Sequence, residues 1–278
     1  MVSFCDKLGK KFVVTGEIEP AARVDRSFLD KARAYMGYAD AVNVIDSPLG
    51  RPQVSWLAAS LIMKRELQIE PVLQMCARDR NRTAIINDLL GANLLGIEDV
   101  LCIAGDYPEK VKEGGSRAGT IAKPVYELDS ARFARLVKEE MPLEYEGFRM
   151  NVGVAYNPMV QPNEPQQMAL EKKLKWADFV QTQPVFDFSQ LDNKVVKAYK
   201  DKILVGVMPL NNKGLGEYFN KHVPGFDISK EVLDGIETED DAIEAARGIV
   251  KKARSGGFAG VHLMVFELED RIGEILER

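Results

Sequence analysis

Four short segments decide the fold: FVVTGEIE (residues 12–19), AVNVI (41–45), EPVLQ (70–74) and DVLCIA (99–104). They are rich in apolar and β-branched residues and have the length of β-strands. They begin at residues 12, 41, 70 and 99, so each begins 29 residues after the one before it. The chain between them has the spacing of amphipathic helices. This stretch therefore predicts a strand–helix unit repeated four times.

Four more segments of the same kind follow along the chain. They are residues 149–155, 179–183, 203–207 and 260–266. The predicted helices are residues 27–38, 55–67, 82–95, 130–140, 165–176, 189–200 and 240–255, with a last one from residue 270. Almost wholly apolar strands separated by helices are typical of parallel sheets covered on both faces. Eight such units close a barrel, so we predict the α/β class with residues 1–278 as a single (β/α)8 TIM barrel domain.

An open, doubly wound sheet is the less favoured alternative. That fold usually carries a glycine fingerprint after its first strand, and the turn here reads EIEPAARVD. Two irregular stretches interrupt the repeat. Residues 105–124 are too long for a plain strand–helix turn, and residues 223–239 follow an apparent short helix after the seventh strand.

Composition excludes several classes of function. The 37 Lys and Arg residues against 42 Asp and Glu residues give a net charge of −5, which argues against a nucleic-acid partner. No apolar run is long enough to span a membrane, and the first residues lack the pattern of a secretory signal, so we expect a cytoplasmic protein. The three cysteines, Cys5, Cys76 and Cys102, are far apart and predict reduced thiols with no cysteine metal site.

In a barrel of this type, residues at the carboxyl ends of the strands form the active site. Glu17 and Glu19 end the first strand and lie on the same face because they are two residues apart. Gly105 and Asp106 follow the fourth strand. Gln183 ends the sixth strand, and its amide can both donate and accept hydrogen bonds, which suits a heterocyclic ligand.

Aromatic residues lie near the same ends of the strands. Tyr126, Tyr156 and Phe219 would add flat apolar surfaces to the site. The chain has only two histidines, His222 and His262, and we predict a site of carboxylates, an amide and aromatics without histidine and without a metal. Such a set favours a planar heteroaromatic ligand.

Taken together, the strand ends resemble the methylenetetrahydrofolate reductase family along essentially the whole chain. The matching motifs are Glu17-Ile18-Glu19-Pro20 for E-x-x-P, Gln74-Met75-Cys76 at the end of the third strand, Gly105-Asp106 with Pro108 for G-D-x-P, Ala155-Tyr156 for A-Y, Thr182-Gln183 with Phe186-Asp187 for T-Q-x-x-F-D, and the turn at residues 207–209. Each motif is short, and their shared order on the expected strands carries the resemblance.

The resemblance implies that a reduced flavin gives a hydride to 5,10-methylenetetrahydrofolate and forms 5-methyltetrahydrofolate. It implies that Glu17 is the general acid that opens the five-membered ring by protonating N10. It places Asp106 near flavin and pterin, where it stabilises the developing cation. Gln183, Phe219 and Glu19 are then substrate-binding residues.

The same resemblance implies a set of flavin-binding residues. They are Gln74, Gly105, Asp106, Tyr126, Tyr156 and Lys172, with the neighbouring Lys173 as a rival to Lys172. The sequence departs from the family pattern at Leu73, where many members have histidine, at Ala104, where arginine is frequent, and at Met264, where tyrosine can occur. These departures bear on the type of flavin more than on the reaction. We expect FAD, with FMN as the alternative.

The resemblance extends to a branch found in anaerobes, in which a partner subunit with metal centres feeds electrons to the flavin. Electrons would come either from NAD(P)H or from such a partner, and we expect an oligomer. Two other functions remain open. One is a flavin-free barrel lyase or aldolase that uses Glu17 and Asp106 as acid and base. The other is a noncatalytic folate or flavin carrier within a larger complex.

Overall fold

The computed structural model describes residues 3–20, 22–107, 123–223 and 225–277. Eight parallel strands close into a barrel in chain order. They are β1 (Val13–Ile18), β2 (Ala41–Ile45), β3 (Pro71–Cys76), β4 (Asp99–Ile103), β5 (Asn151–Tyr156), β6 (Phe179–Pro184), β7 (Ile203–Val207) and β8 (Gly260–Leu263). Each strand begins within two residues of its predicted start. The predicted (β/α)8 TIM barrel is confirmed.

Helices separate and surround the strands. They are α1 (Phe28–Ala34), α2 (Trp56–Leu67), α3 (Arg82–Leu94), α4 (Ser130–Arg135), α5 (Met141–Glu144), α6 (Glu164–Leu174), α7 (Lys194–Tyr199), α8 (Lys213–His222), α9 (Lys230–Asp234), α10 (Glu239–Ser255) and α11 (Ile272–Leu276). A π-helical turn, Leu136–Glu140, joins α4 to α5. The longest helix, α10, begins at a capping box in which Thr238 and Asp241 bond each other's backbone N–H groups.

Two predicted segments differ from the structure. The helix predicted at residues 189–200 is broken into a 3-10 turn, Phe188–Leu191, and the helix α7. Asn193 causes the break, because its side chain accepts from the Val196 N–H at 2.9 Å and caps a new helix. The irregular stretch 223–239 contains α9. Most of the other irregular stretch, residues 108–122 with Pro108, lies outside the described residues.

The lower layer of the barrel interior, at the amino ends of the strands, is apolar. It consists of Phe4, Val13, Ala41, Val72, Leu101, Phe179 and Leu204. Phe4 plugs this end and meets the Phe179 ring edge-on at 4.8 Å between centroids. Beside it, the Ser3 hydroxyl contacts both carboxyl oxygens of Asp99, at 2.7 and 2.9 Å. Burial raises the pKa of Asp99 to about 6.

A larger core fills the space between the strands and the helices, and a small apolar cluster lies apart from it near the carboxyl ends of β7 and β8. We call this small cluster the rim cluster. Its buried members are Met208, Leu210, Ile228, Leu233, Ile236, Ala242 and Met264, and Phe219 and Phe226 pack against them. The rim cluster thus attaches α8 and α9 to the edge of the barrel mouth.

Candidate active site

A cavity of about 350 Å³ lies at the carboxyl ends of the strands. It is lined by Glu17, Gln74, Leu101, Ile103, Ala104, Gly105, Asp106, Ala155, Gln181, Thr182, Gln183, His262 and Met264. Larger depressions, of about 380, 500 and 700 Å³, lie elsewhere on the described part of the chain and share none of these residues. We call it the mouth cavity; it gathers predicted site residues from four different strand ends.

Glu17 points into the barrel from the end of β1. Its side chain is only 13% exposed. The backbone beneath it is fixed by Tyr35, the residue after α1, whose hydroxyl donates to the Glu17 carbonyl at 3.2 Å. Tyr35 can approach so closely because Gly16 has no side chain: a Cβ there would lie 2.2 Å from the Tyr35 ring. Glu17 is therefore held on a rigid strand end.

His262 also lines the cavity, so the prediction of a site without histidine was wrong. Its Nε2 lies 3.5 Å from Oε2 of Glu17. Its Nδ1 lies 2.9 Å from the Thr15 hydroxyl and 3.3 Å from the Gln181 amide nitrogen. The sequence carried a signal for it, since His262 interrupts the apolar strand GVHLMVF at an inward position two residues before Met264.

A chain of side-chain amides continues from Gln181 across the barrel. The amide groups of Gln181 and Asn43 bond each other reciprocally, at 2.7 and 3.1 Å. Asn43 also donates to Oε1 of Gln74 at 2.9 Å. Both Asn43 and Gln181 are buried and were not predicted from the sequence, because single polar residues inside apolar strands resemble ordinary core positions.

The loop after β4 brings Asp106 to the cavity. Gly105 has a φ of +87°, and a Cβ there would lie 1.9 Å from Sγ of Cys76, so both the backbone conformation and the packing require glycine. Arg78, with a side chain 1% exposed, donates to the Asp106 carbonyl at 3.1 Å and to the Ser47 carbonyl at 2.7 Å. A buried guanidinium thus fixes the loop, while the Asp106 carboxylate stays exposed.

Tyr126 and Tyr156 contribute less directly than predicted. The Tyr126 hydroxyl donates to the Gly105 carbonyl at 3.1 Å, so this residue braces the Asp106 loop. Tyr156 is 2% exposed and packs in the core outside the barrel, because it follows Ala155 and strand side chains alternate. Its hydroxyl contacts Asn163 at 2.6 Å and Asn193 at 3.2 Å. The prediction that Tyr156 faces the cavity is corrected: Ala155 does.

Gln183 lies where predicted, exposed and lining the cavity at the end of β6. The preceding Thr182 fixes it, since the Thr182 hydroxyl donates to the Gln183 carbonyl at 2.7 Å and accepts from the Gly206 N–H at 2.8 Å. Asp187 of the T-Q-x-x-F-D motif caps the 3-10 turn through Ser189 and does not line the cavity.

Two further predicted residues, Glu19 and Phe219, do not line the cavity. Glu19 follows β1 and is exposed; desolvation raises its pKa and the charge of Glu17 adds to the rise, although Lys31 opposes it. Phe219 is half-buried and packs against Phe226 at 4.9 Å in the rim cluster, whose member Met264 lines the cavity.

The structure places the side chains of Lys172 and Lys173 in different surroundings. Lys172 is exposed on α6 and does not line the cavity, whereas Lys173 is half-buried and its ammonium donates to the Ala155 carbonyl. Burial lowers the pKa of Lys173 to about 8. Neither lysine lines the cavity, but the contact of Lys173 with Ala155, which does, favours Lys173 over Lys172.

Within the described ranges, no group of three or more His, Cys, Asp and Glu side chains is arranged to hold a metal ion. The same residues contain no helix that is long and apolar enough to cross a membrane. All three cysteines are free thiols.

A closed barrel with a carboxylic acid, an imidazole and several amides at the carboxyl ends of its strands has the architecture of the (β/α)8-barrel enzymes. The model of the methylenetetrahydrofolate reductase family matches residues 22–278, and this chain belongs to that family. No curated protein sequence is similar enough to the chain to count as a match.

Solved structures resemble the chain in fold. The spore cortex-lytic enzyme SleL of Bacillus cereus has a TM-score of 0.55 at 14% identity, with 96% of this chain and 74% of that chain covered. EDTA monooxygenase from Chelativorans sp. BNC1 has a TM-score of 0.54 at 8% identity, covering 96% and 93%. The tryptophan synthase complex of Pyrococcus furiosus has a TM-score of 0.52 at 14% identity, covering 95% and 93%. At these identities the likeness shows the barrel alone.

Proposed function

We propose that this protein is a flavin-dependent reductase that converts 5,10-methylenetetrahydrofolate into 5-methyltetrahydrofolate. Membership in the methylenetetrahydrofolate reductase family supports the reaction class. The observation that carries the assignment to the mouth cavity is the placement of Glu17. Its carboxyl group is largely buried on a rigid strand end and shares one cavity with Asp106 and Gln183.

The donor set of the cavity fits a flavin. One edge of the flavin ring presents N–H and C=O groups, and side-chain amides can bond both kinds. Gln183 is exposed in the cavity, and Gln74 accepts from Asn43 with Oε1, which leaves its NH₂ group for a ligand. A cavity of about 350 Å³ has the size of a small-molecule site, for which about 300–1,000 Å³ is typical. The bound flavin, in its reduced form, supplies the hydride.

The chain's own residues bind and orient the substrate and move one proton. Glu17 gives its proton to N10 of the folate; the bond between N10 and the methylene carbon breaks, and its electron pair stays on N10. The methylene group is left as an iminium on N5. Asp106 stabilises this positive charge, Gln183 bonds the pterin, and Glu19 and Phe219 bind the substrate at the rim.

The residues that bind the flavin in this proposal are Gln74, Gly105, Asp106 and Lys173. Tyr126 and Tyr156 support the flavin site indirectly, because their hydroxyls hold the loops after β4 and β5 in place. We propose FAD as the flavin. The mass of the chromophore released by heat distinguishes FAD from FMN.

The test of the proposal is Glu17→Gln compared with Glu144→Gln, an exposed residue of α5 on the outside of the barrel. We expect Glu17→Gln to slow the reoxidation of reduced flavin by methylenetetrahydrofolate by about 10²- to 10⁴-fold, the usual contribution of a general acid. Flavin content, read from the visible spectrum, should stay unchanged in both variants. Reoxidation of Glu17→Gln at the native rate would show that Glu17 is not the acid.

The electron donor is tested on the same preparation. We propose that NAD(P)H or a partner subunit with metal centres reduces the flavin, and anaerobic mixing with NADH, NADPH and dithionite separates the two. Reduction by dithionite alone would indicate the partner subunit. A colourless protein that takes up no flavin and binds no folate would instead favour the barrel lyase.

A further inference from the structure

Behind Glu17 lies a buried chain of hydrogen bonds that the proposed reaction does not use. It consists of Gln181, Thr15 and His262, which are 2%, 0% and 3% exposed. These three polar residues occupy the middle layer of the barrel, directly above the apolar lower layer. Buried polar groups are costly unless they are satisfied, so a polar layer at this depth needs a reason beyond filling space.

The chain has a direction, set by its hydrogen-bond donors. The Gln181 amide nitrogen can only donate, and with the amides oriented as in the structure it donates to the Thr15 oxygen at 3.1 Å. The Thr15 hydrogen is then free to donate to Nδ1 of His262, 2.9 Å away. Nδ1 is an acceptor, so the hydrogen of the neutral imidazole is on Nε2.

This Nε2–H faces Oε2 of Glu17 across 3.5 Å. Protonation of a carboxyl oxygen that faces an N–H donor is unfavourable, because the hydrogens of the O–H and N–H groups would then point at each other. The proton of the carboxylic acid is thereby directed to the other oxygen, Oε1. When Oε1 gives its proton away, the negative charge that develops on Oε2 has the Nε2 donor 3.5 Å away, from where a small approach makes a hydrogen bond.

We propose that His262 is the positioning residue of the reaction: held by Thr15 and Gln181, it directs the transferable proton of Glu17 to Oε1 and stabilises the carboxylate that the transfer leaves. The inference rests on the proposed function, in which Glu17 is the acid. His262 itself neither gains nor loses a proton in the step. The titratable residues that line the cavity with it are Glu17 and Asp106.

A matched pair of variants tests the Nε2–H. In His262→Gln the side-chain amide places an N–H near the position of Nε2, whereas in His262→Asn the shorter side chain does not reach it. A hydrogen bond to a charged group contributes about 1.5–3 kcal/mol, so we expect His262→Asn to slow flavin reoxidation by methylenetetrahydrofolate about ten- to a hundredfold. His262→Gln should recover most of the loss. His222→Asn, at the exposed histidine of α8, serves as the control.

Two further readouts separate positioning from a merely structural role. Flavin content and the rate of flavin reduction by dithionite should be native in all three variants. The pH at which the reoxidation rate falls should move upward in His262→Asn, because the carboxylate has lost its donor. A loss of rate that is equal at every pH would overturn the proposal.

The Thr15 variants decide the question even if His262→Asn does not fold. Thr15→Ser keeps the hydroxyl and Thr15→Val removes it, so we expect only Thr15→Val to slow reoxidation and move the pH profile. If Glu17→Gln is inactive while His262→Asn and Thr15→Val are native in rate and pH profile, the positioning role fails and the proposed function stands. If Glu17→Gln itself is fully active, the acid assignment fails first.

Discussion

The lower and middle layers of the barrel interior are built in opposite ways. The lower layer, around Phe4 and Phe179, is wholly apolar, whereas the middle layer carries Thr15, Gln181 and His262. The same eight strands supply both. The contrast indicates that the lower layer stabilises the barrel, which leaves the upper layers free to hold polar groups that contribute little to stability. Stability and chemistry should therefore respond separately to substitution in the two layers.

The largest effect on stability is expected at the plug of the lower layer. Phe4→Ala removes a fully buried ring that contacts Phe179, and such truncations cost about 3–5 kcal/mol of unfolding free energy. Urea unfolding followed by tryptophan fluorescence measures the loss. Leu94→Ala, at a residue 88% exposed at the end of α3, is the control and should change little.

The same variant sharpens the contrast between the layers. Reoxidation of flavin per folded Phe4→Ala molecule should remain close to native, because Phe4 itself does not line the cavity, although Leu101 of the same layer does. A variant that keeps its stability and loses its activity would show that the lower layer belongs to the site.

A somewhat smaller effect is expected from Asp99, beside the plug. Its folded pKa of about 6 lies above the unfolded value of about 3.9. The folded state then binds more protons, so stability is fully present below about pH 4 and falls by about 3 kcal/mol as the pH rises to about 6. Asp99→Asn should remove this part of the pH dependence, measured as the difference between urea midpoints at pH 4.5 and pH 7. An unchanged difference would contradict the assignment.

The smallest effect is expected from Gln183 in the upper layer. Gln183→Ala removes an exposed amide, so the unfolding free energy should be native, while folate binding should weaken about ten- to a hundredfold through the loss of a polar partner. Flavin content should fall far less. Titration of the oxidised protein with folate, followed by flavin absorbance, measures both, and equal losses of folate and flavin would indicate a structural role.

The fold followed from the sequence because its signal is local and repeated. Apolar strands at a spacing of 29 residues show the βα unit directly. The helix break at Asn193 was harder to predict, since a single capping residue inside an amphipathic stretch ends one helical segment and begins another. The plug at Phe4 left no periodic signal at all.

The residues of the site at the strand ends could be predicted from the sequence, whereas the buried residues beneath them could not. Glu17, Asp106 and Gln183 line the cavity. They could be predicted because their positions at strand ends can be recognised in the sequence. His262 was missed because its role depends on β8 pairing with β1, which the sequence does not display. Tyr156 was misplaced by one residue of strand alternation, which moves a side chain from the inner to the outer face.

The contact between Thr15 and His262 joins residues 247 positions apart, across the pair of strands that closes the barrel. Contacts of such sequence separation form late, because a long loop must close first. During synthesis, β8 leaves the ribosome after the seven other strands, and until then β1 and β7 are unpaired edges open to other chains. The imidazole reaches Glu17 in the same event that closes these edges. Glu17 therefore has His262 beside it only in chains whose barrel has closed.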